Sequence, residues 1–307
     1  MLKIDQLSKQ FKSKEVLNNV SLHVNKGEIV SILGRSGSGK STLLNLIAGF
    51  ESADEGAIEI NGVVMSAKGK FVDPSERSIG FVFQNYALFP HLSIADNIAF
   101  GITHLSKKER QERVVKLLSL INLDGYGSKY PDTLSGGEQQ RVALARVLAI
   151  EPSVILLDEP FSNVDTALKM SIRNELISIL RETNATALFV THDPHEAMAI
   201  SDRIAYIDGG EIVQFDTPEA LYHTPANENV AAFFGPINRY EGGFVRVEQC
   251  SLGDSGDYVC TVSSSIFMGS FYVTTVSLME EVMKEEFLVY TDRAYEIGTQ
   301  TRLSIVR

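Results

Sequence analysis

Apolar and polar positions over the first two-thirds of the chain fall into two alternating textures. Short unbroken apolar runs rich in β-branched residues, such as Glu28–Gly34 (EIVSILG) and Val154–Asp158 (VILLD), have the length and make-up of buried strands. Ala187–Asp193 (ALFVTHD) starts as a third such run, and AIEING and SIGFVFQ add two short strands. Between these lie longer stretches with apolar residues at helical spacing. GKSTLLNLIAGF predicts a helix ending at Gly49, and DTALKMSIRNELISILRET predicts one between VILLD and ALFVTHD. From Ile94 to about Ile150 the pattern is helical throughout, as in KKERQERVVKLLSLI. Strands separated by helices predict βαβ units and a mainly parallel sheet.

After Gly235 the texture changes. RYEGGFVRVEQCSLGDSGDYVCTVSSS alternates short apolar strands with Gly, Asp and Ser turns, and the rest of the chain continues so. A small all-β module over 237–307 is expected, with GPIN (Gly235–Asn238) as its boundary against a domain over 1–236. The charged stretch MEEVMKEEF reads as a solvated face. No internal repeat or low-complexity segment is visible.

Composition narrows the classes. The 307 residues carry 28 Lys and Arg against 39 Asp and Glu, a net charge of −11, where a general nucleic-acid binder needs a basic face. No apolar run approaches the ~18 residues of a membrane helix. The opening MLKIDQLSKQF has no apolar signal core, so export is not expected. Cys250 and Cys260 flank SLGDSGDYV and could lie near each other on a hairpin; small core side chains in a reducing cytosol is the reading preferred.

The chemistry begins at Gly34-Arg35-Ser36-Gly37-Ser38-Gly39-Lys40-Ser41, which fits the phosphate-loop pattern G-x-x-x-x-G-K-[ST] between a strand and a helix. Glycines let the loop curl so that N–H groups point at phosphate oxygens, and the helix start adds roughly half a positive charge. Lys40 supplies a point cation for the β- and γ-phosphates. Ser41 offers a hydroxyl to Mg²⁺ and Thr42 one to the α-phosphate. Asp158 and Glu159 end the VILLD strand: Asp158 suits Mg²⁺ through water, and Glu159 suits a general base facing the attacking water. A second phosphate-facing loop stands at Leu134–Arg141 (LSGGEQQR), where two glycines lead into helix formers.

Together these motifs resemble the ATP-hydrolysing subunits of ABC transporters, over about Leu2–Gly235 and in the family's order. Gln84 in FVFQNYALFPHLS matches the Q-loop, LSGGEQQR the ABC signature, VILLDEP the Walker B strand and SNVD (Ser162–Asp165) the D-loop. His192 matches the switch histidine, and Phe11 falls where the family places an aromatic under adenine. Val164 stands where leucine is commoner; no catalytic position is degenerate. The resemblance implies a P-loop NTPase (RecA-like) α/β core with antiparallel β and helical subdomains, followed by a small all-β, barrel-like domain of the oligonucleotide-fold kind. It implies ATP and Mg²⁺ as ligands, Gln84 joining Ser41 and Asp158 at the metal, and hydrolysis by Glu159, His192 and Gln84. It also implies a homodimer in which Ser135, Gly136, Gly137 and Glu138 of one copy cover the nucleotide held by Gly34–Thr42 of the other, with Asp165 linking the two sites.

The resemblance carries further expectations about partners and place. These are two transmembrane permease subunits docked near Gln84–Ser93 and the helical insert, a solute-binding protein met indirectly, no nucleic acid, and a peripheral position on the cytoplasmic face of the inner membrane. A single cassette with a β tail resembles importers more than exporters or non-transport ATPases. KGKFVDPSERSIGFVFQNYALFPHLSIADNIAFG and DEPFSNVD resemble ferric-iron importers most, with polyamine, sulfate and molybdate importers as alternatives.

Overall fold

The computed structural model describes residues 1–162, 164, 166–240, 243–278 and 286–306. In chain order they form β1 (Leu2–Phe11), β2 (Lys14–Val24), β3 (Ile29–Leu33), α1 (Lys40–Ala48), β4 (Glu55–Ile60), β5 (Val63–Ala67), β6 (Lys70–Phe71) and β7 (Ile79–Val82). Three helices follow, α2 (Ile94–Ala99), α3 (Lys107–Leu120) and α4 (Gly136–Ala149). Then come β8 (Val154–Asp158), α5 (Thr166–Glu182), β9 (Ala187–Thr191), α6 (Pro194–Ile200), β10 (Arg203–Asp208), β11 (Glu211–Asp216), α7 (Pro218–His223) and α8 (Glu228–Phe234). The chain ends in β12 (Ile237–Tyr240), β13 (Gly243–Arg246), β14 (Cys250–Gly253), β15 (Tyr258–Phe267), β16 (Tyr272–Leu278), β17 (Glu286–Thr291) and β18 (Gln300–Ile305). It divides into two compact units, Met1–Ala220 and Leu221–Arg307.

The first unit is built on a six-stranded sheet in the order β11-β10-β3-β9-β8-β7. All its pairs are parallel except the β10–β11 edge. The unbroken apolar runs follow from burial on both faces. In β8, Ile155 and Leu157 pack with α2, α3 and α4 residues such as Ile98, Leu117 and Leu144. The intervening Val154 and Leu156 pack on the other face with Leu43, Leu44 and Ile47 of α1. That second core also takes Leu2, Ile4 and Leu22 from an antiparallel sheet in the order β2-β1-β4-β5-β6. The expected helical stretch from Ile94 is three helices, two of them started by capping boxes, Ser106 with Glu109 and Ser135 with Glu138.

In the second unit β14-β18-β15-β16-β17 form one antiparallel sheet whose outer strands approach each other, leaving it nearly closed around Val262, Val276, Phe287 and Leu303. The expected all-β module is present. The two cysteines are buried and free, but they do not share a hairpin. β18 runs between their strands, with Cys250 opposite Ile305 and Cys260 opposite Thr301. Burial pushes both thiols above their ordinary pKa, which suits inert core side chains. Of the MEEVMKEEF stretch only Glu286, exposed, and Phe287, buried, are among the described residues.

Candidate functional site: a phosphate-loop cleft

Four of the sequence motifs end on one sheet edge, because the strands carrying them are neighbours. β3, β9, β8 and β7 lie side by side and parallel, so their C-terminal ends open onto one edge. Each is followed by its motif: the 34–42 loop after β3, His192 after β9, Asp158 and Glu159 at the end of β8, and Gln84 two residues beyond β7. The outer carboxyl edge of an open parallel sheet is where such folds bind ligands.

The loop leads into α1 at Gly39, which has φ +100°; a Cβ there would lie 2.7 Å from the Val16 carbonyl oxygen, so only glycine fits. Among the described residues no side chain caps α1, and no acid lies in its first turn, so its N–H groups and dipole suit an anion. Lys40 is 7 % exposed, and its Nζ donates to the carbonyl oxygens of Gly34 and Arg35, each at 2.9 Å. Burial lowers the Lys40 pKa, opposed by the charges of Glu159 and Asp158. Ser38 is buried beside it, its Oγ without a hydrogen-bond partner among the described residues. Lys40 edges a cleft of about 380 Å³ whose walls include Ser36, Gly37, Ser41 and Thr42 of the loop, Glu159 and His192, and Lys14 and Val16 of β2.

Asp158 is half-buried, and burial followed by the neighbouring Glu159 charge pushes its pKa up, against a hydrogen bond from Ser41. The Ser41 Oγ to Asp158 Oδ1 distance is 3.5 Å. Glu159 sits at φ +42°, a left-handed conformation that non-glycine residues adopt at a cost of about 1–3 kcal/mol. The turn is held: Glu159 N donates to Val190 O at 3.0 Å, and Ser162 N and Oγ donate to Glu159 O at 3.1 and 2.9 Å. The strained turn aims the Glu159 carboxylate at His192, Oε1 to Nδ1 being 3.4 Å.

A model of the family described as "ABC transporter" matches residues 17–162. The sulfate/thiosulfate import ATP-binding protein of Pseudomonas syringae pv. tomato is 42 % identical over 310 residues, covering 99 % of this chain and 87 % of that protein. The chain belongs to the ABC transporter family. It is an ATPase, and it groups with the family's import ATP-binding subunits. An Fe(3+) ions import ATP-binding protein of Pectobacterium atrosepticum is 46 % identical over 76 % of this chain and 68 % of its own. Among solved structures, a dimeric ATP-binding cassette in a post-hydrolysis state with ADP and Pi is 34 % identical with a TM-score of 0.61, over 71 % of this chain and 99 % of that one. A cassette from Clostridium perfringens, part of an ABC transporter complex, gives 28 % and 0.65 over 72 % of this chain and 89 % of that one.

Within this ABC cassette the signature stands away from the cleft: none of Ser135, Gly136, Gly137 and Glu138 lines it. Ser135 is the N-cap of α4, its N and Oγ donating to Glu138 Oε2 at 2.8 and 2.9 Å, which holds the Glu138 carboxyl below its ordinary pKa. Gly137 packs under α5; a Cβ there would be 2.5 Å from Ile172 Cδ1. Phe11 is 41 % exposed at the end of β1 with the Lys9 ammonium 5.1 Å from its ring centroid, and it does not line the cleft. Gln84 is exposed and likewise outside the cleft lining. Asp165 lies outside the described residues. Lys14 and Val16 carry no motif; the β1–β2 turn brings them in, and nothing short of the pairing register would have pointed to them.

Proposed function

We propose that the protein is the ATP-hydrolysing subunit of a solute importer. It works as a homodimer on the cytoplasmic face of the inner membrane, against two permease subunits and, through them, a solute-binding protein. The observation that carries this reading is the convergence of the uncapped α1 start, the buried Lys40, and the Asp158, Glu159 and His192 side chains at one sheet edge. Residues 1–236 are assigned to nucleotide binding and 237–307 to regulation or dimerisation.

The cleft fits a magnesium–nucleotide. A hydroxyl and one carboxylate, Ser41 and Asp158, are the sparse protein ligands Mg²⁺ takes when phosphates and water complete its shell. They would hold the ion with Gln84, and bound there it supplies charge neutralisation on the β- and γ-phosphate oxygens. The 34–42 loop and Lys40 bind the phosphates, and Phe11 stacks on adenine. Glu159 takes a proton from the attacking water as that oxygen bonds the γ-phosphorus and the bond to the β–γ bridging oxygen breaks. His192 orients the Glu159 carboxylate. In the homodimer the Ser135–Glu138 segment covers the partner copy's γ-phosphate and Asp165 joins the two sites, so loss of that phosphate frees the halves to part.

Replacing Glu159 by Gln tests the chemistry. Hydrolysis should fall by about a hundredfold or more while ATP binding persists and an ATP-held dimer accumulates on size exclusion. Parental turnover in that variant removes Glu159 as the base.

The cargo leaves no direct mark, since it never meets this subunit. A sulfate/thiosulfate relative matches the β-module as well as the cassette, which supports a sulfate-class oxyanion equally with ferric iron. The ferric-iron reading keeps support from relatives that match over about the cassette. Stimulation of the reconstituted complex's ATPase by a sulfate-loaded or a ferric-loaded binding protein separates the two.

A further inference from the structure

His192 has an exposed side chain, and its place in the cleft is set by the residues on either side of it. Thr191, Asp193 and Glu196 form a bonded set around it. The Thr191 hydroxyl donates to Glu196 Oε2 at 2.5 Å and accepts from Asp193 N at 3.1 Å. Asp193 caps α6, its Oδ1 accepting from His195 N at 2.8 Å and Glu196 N at 3.4 Å. Glu196 is 6 % exposed. A buried carboxylate needs a countercharge, and it comes from another element: Lys169, in the first turn of α5, pairs with Glu196 Oε1 and stands 3.7 Å from Asp193 Oδ2. Burial works against the Lys169 charge, and the two carboxylates overcome it, so its pKa is raised. α5 begins at Thr166, directly after the SNVD segment.

We propose that Lys169 is a positioning residue for His192, strapping the helix that follows SNVD to the loop that carries the histidine. A shift of α5 is then passed to His192 through the ion pairs of one lysine rather than through the sheet. The proposal rests on the reading of His192 as a hydrolytic residue. Losing the strap leaves Glu196 buried without its cation, so the 191–196 loop must rearrange, and His192 moves with it.

The test is steady-state ATPase kinetics on the full chain. Lys169→Met should lower kcat about tenfold with KM for ATP within about twofold, since even a 1 Å misplacement costs up to a hundredfold in the chemical step and little in binding. Lys169→Arg should restore turnover. In a double-mutant cycle, Lys169→Met should slow the His192→Ala variant no further, because both changes remove one function. Parental kcat in Lys169→Met overturns the proposal, and so does the same fold-loss in the His192→Ala background as in the parent. Should Lys169→Met fail to fold, Glu196→Gln replaces it, with the same loss of kcat expected and parental kcat overturning the idea. Parental kcat in His192→Ala would instead remove the role of His192 itself, an outcome the single Lys169 variant does not report.

Discussion

At the scale of single residues, the site stores cost where its chemistry is. Glu159 is held at a positive φ, and Asp158 keeps a carboxylate where burial and a second acid disfavour its charge. The sign of that shift makes a prediction. A carboxyl whose folded pKa lies above its unfolded value is a cost to folding when ionised. The cost is full above the folded pKa and vanishes as pH falls below the unfolded one. Asp158→Asn should therefore unfold at a higher temperature than the parent at pH 7 in the absence of nucleotide, with the gap closing towards pH 4. A Tm at or below the parent's at pH 7 would show that the Ser41 hydrogen bond and the Lys40 charge together outweigh burial and the Glu159 charge. The placing of Lys40 and Ser41 at the start of α1 was legible from spacing alone, because a phosphate loop sets those residue types between a strand and a helix, and Asp158 was legible as the end of a buried strand. The contacts of Gly137 were not: its tight neighbour is Ile172, thirty-odd positions away and set by how α4 meets α5.

At the scale of elements, α1 is anchored at both ends. Its start carries Lys40 and Ser41; its last turn is plugged by Arg77, fully buried, whose Nη1 donates to Leu46 O and Ile47 O and whose Nε donates to Val72 O, each at 2.9 Å. A cation at a helix C-terminus suits the dipole, and Arg77 stands two residues before β7, the strand leading to Gln84. Arg77→Met should cost about 2 kcal/mol or more, as buried carbonyls lose their donor, read as a lower urea midpoint. Arg77→Lys should recover only part of it, since one ammonium cannot reproduce the fork that spans three carbonyls. An unchanged midpoint in Arg77→Met would mean the helix end needs no plug. The elements themselves were largely readable: buried strands as unbroken apolar runs, α1 from its spacing and Gly49, α5 from its stripe. Arg77 was not, because in ERSIGFVFQ it reads as one more surface charge.

At the scale of the whole molecule, a net charge of −11 on each copy opposes association. The ATP-held dimer of the Glu159→Gln variant should thus gain population as salt rises from low to physiological strength, where the Debye length shortens to about 8 Å. Analytical ultracentrifugation reads this directly, and a dimer that weakens with salt would place attractive charge pairs at the interface instead. What the sequence determined by itself was the alternation of strands and helices, the change of texture near Gly235, and the residue types of a nucleotide site. These are written in local spacing, which burial on one or two faces imposes on every strand and helix. Only the tertiary structure decided that β3, β9, β8 and β7 are neighbours, that Cys250 and Cys260 have β18 between their strands, and that Lys169 reaches Glu196. Strand order and helix packing join residues far apart in the chain, and no local pattern encodes which distant partner fills a given contact.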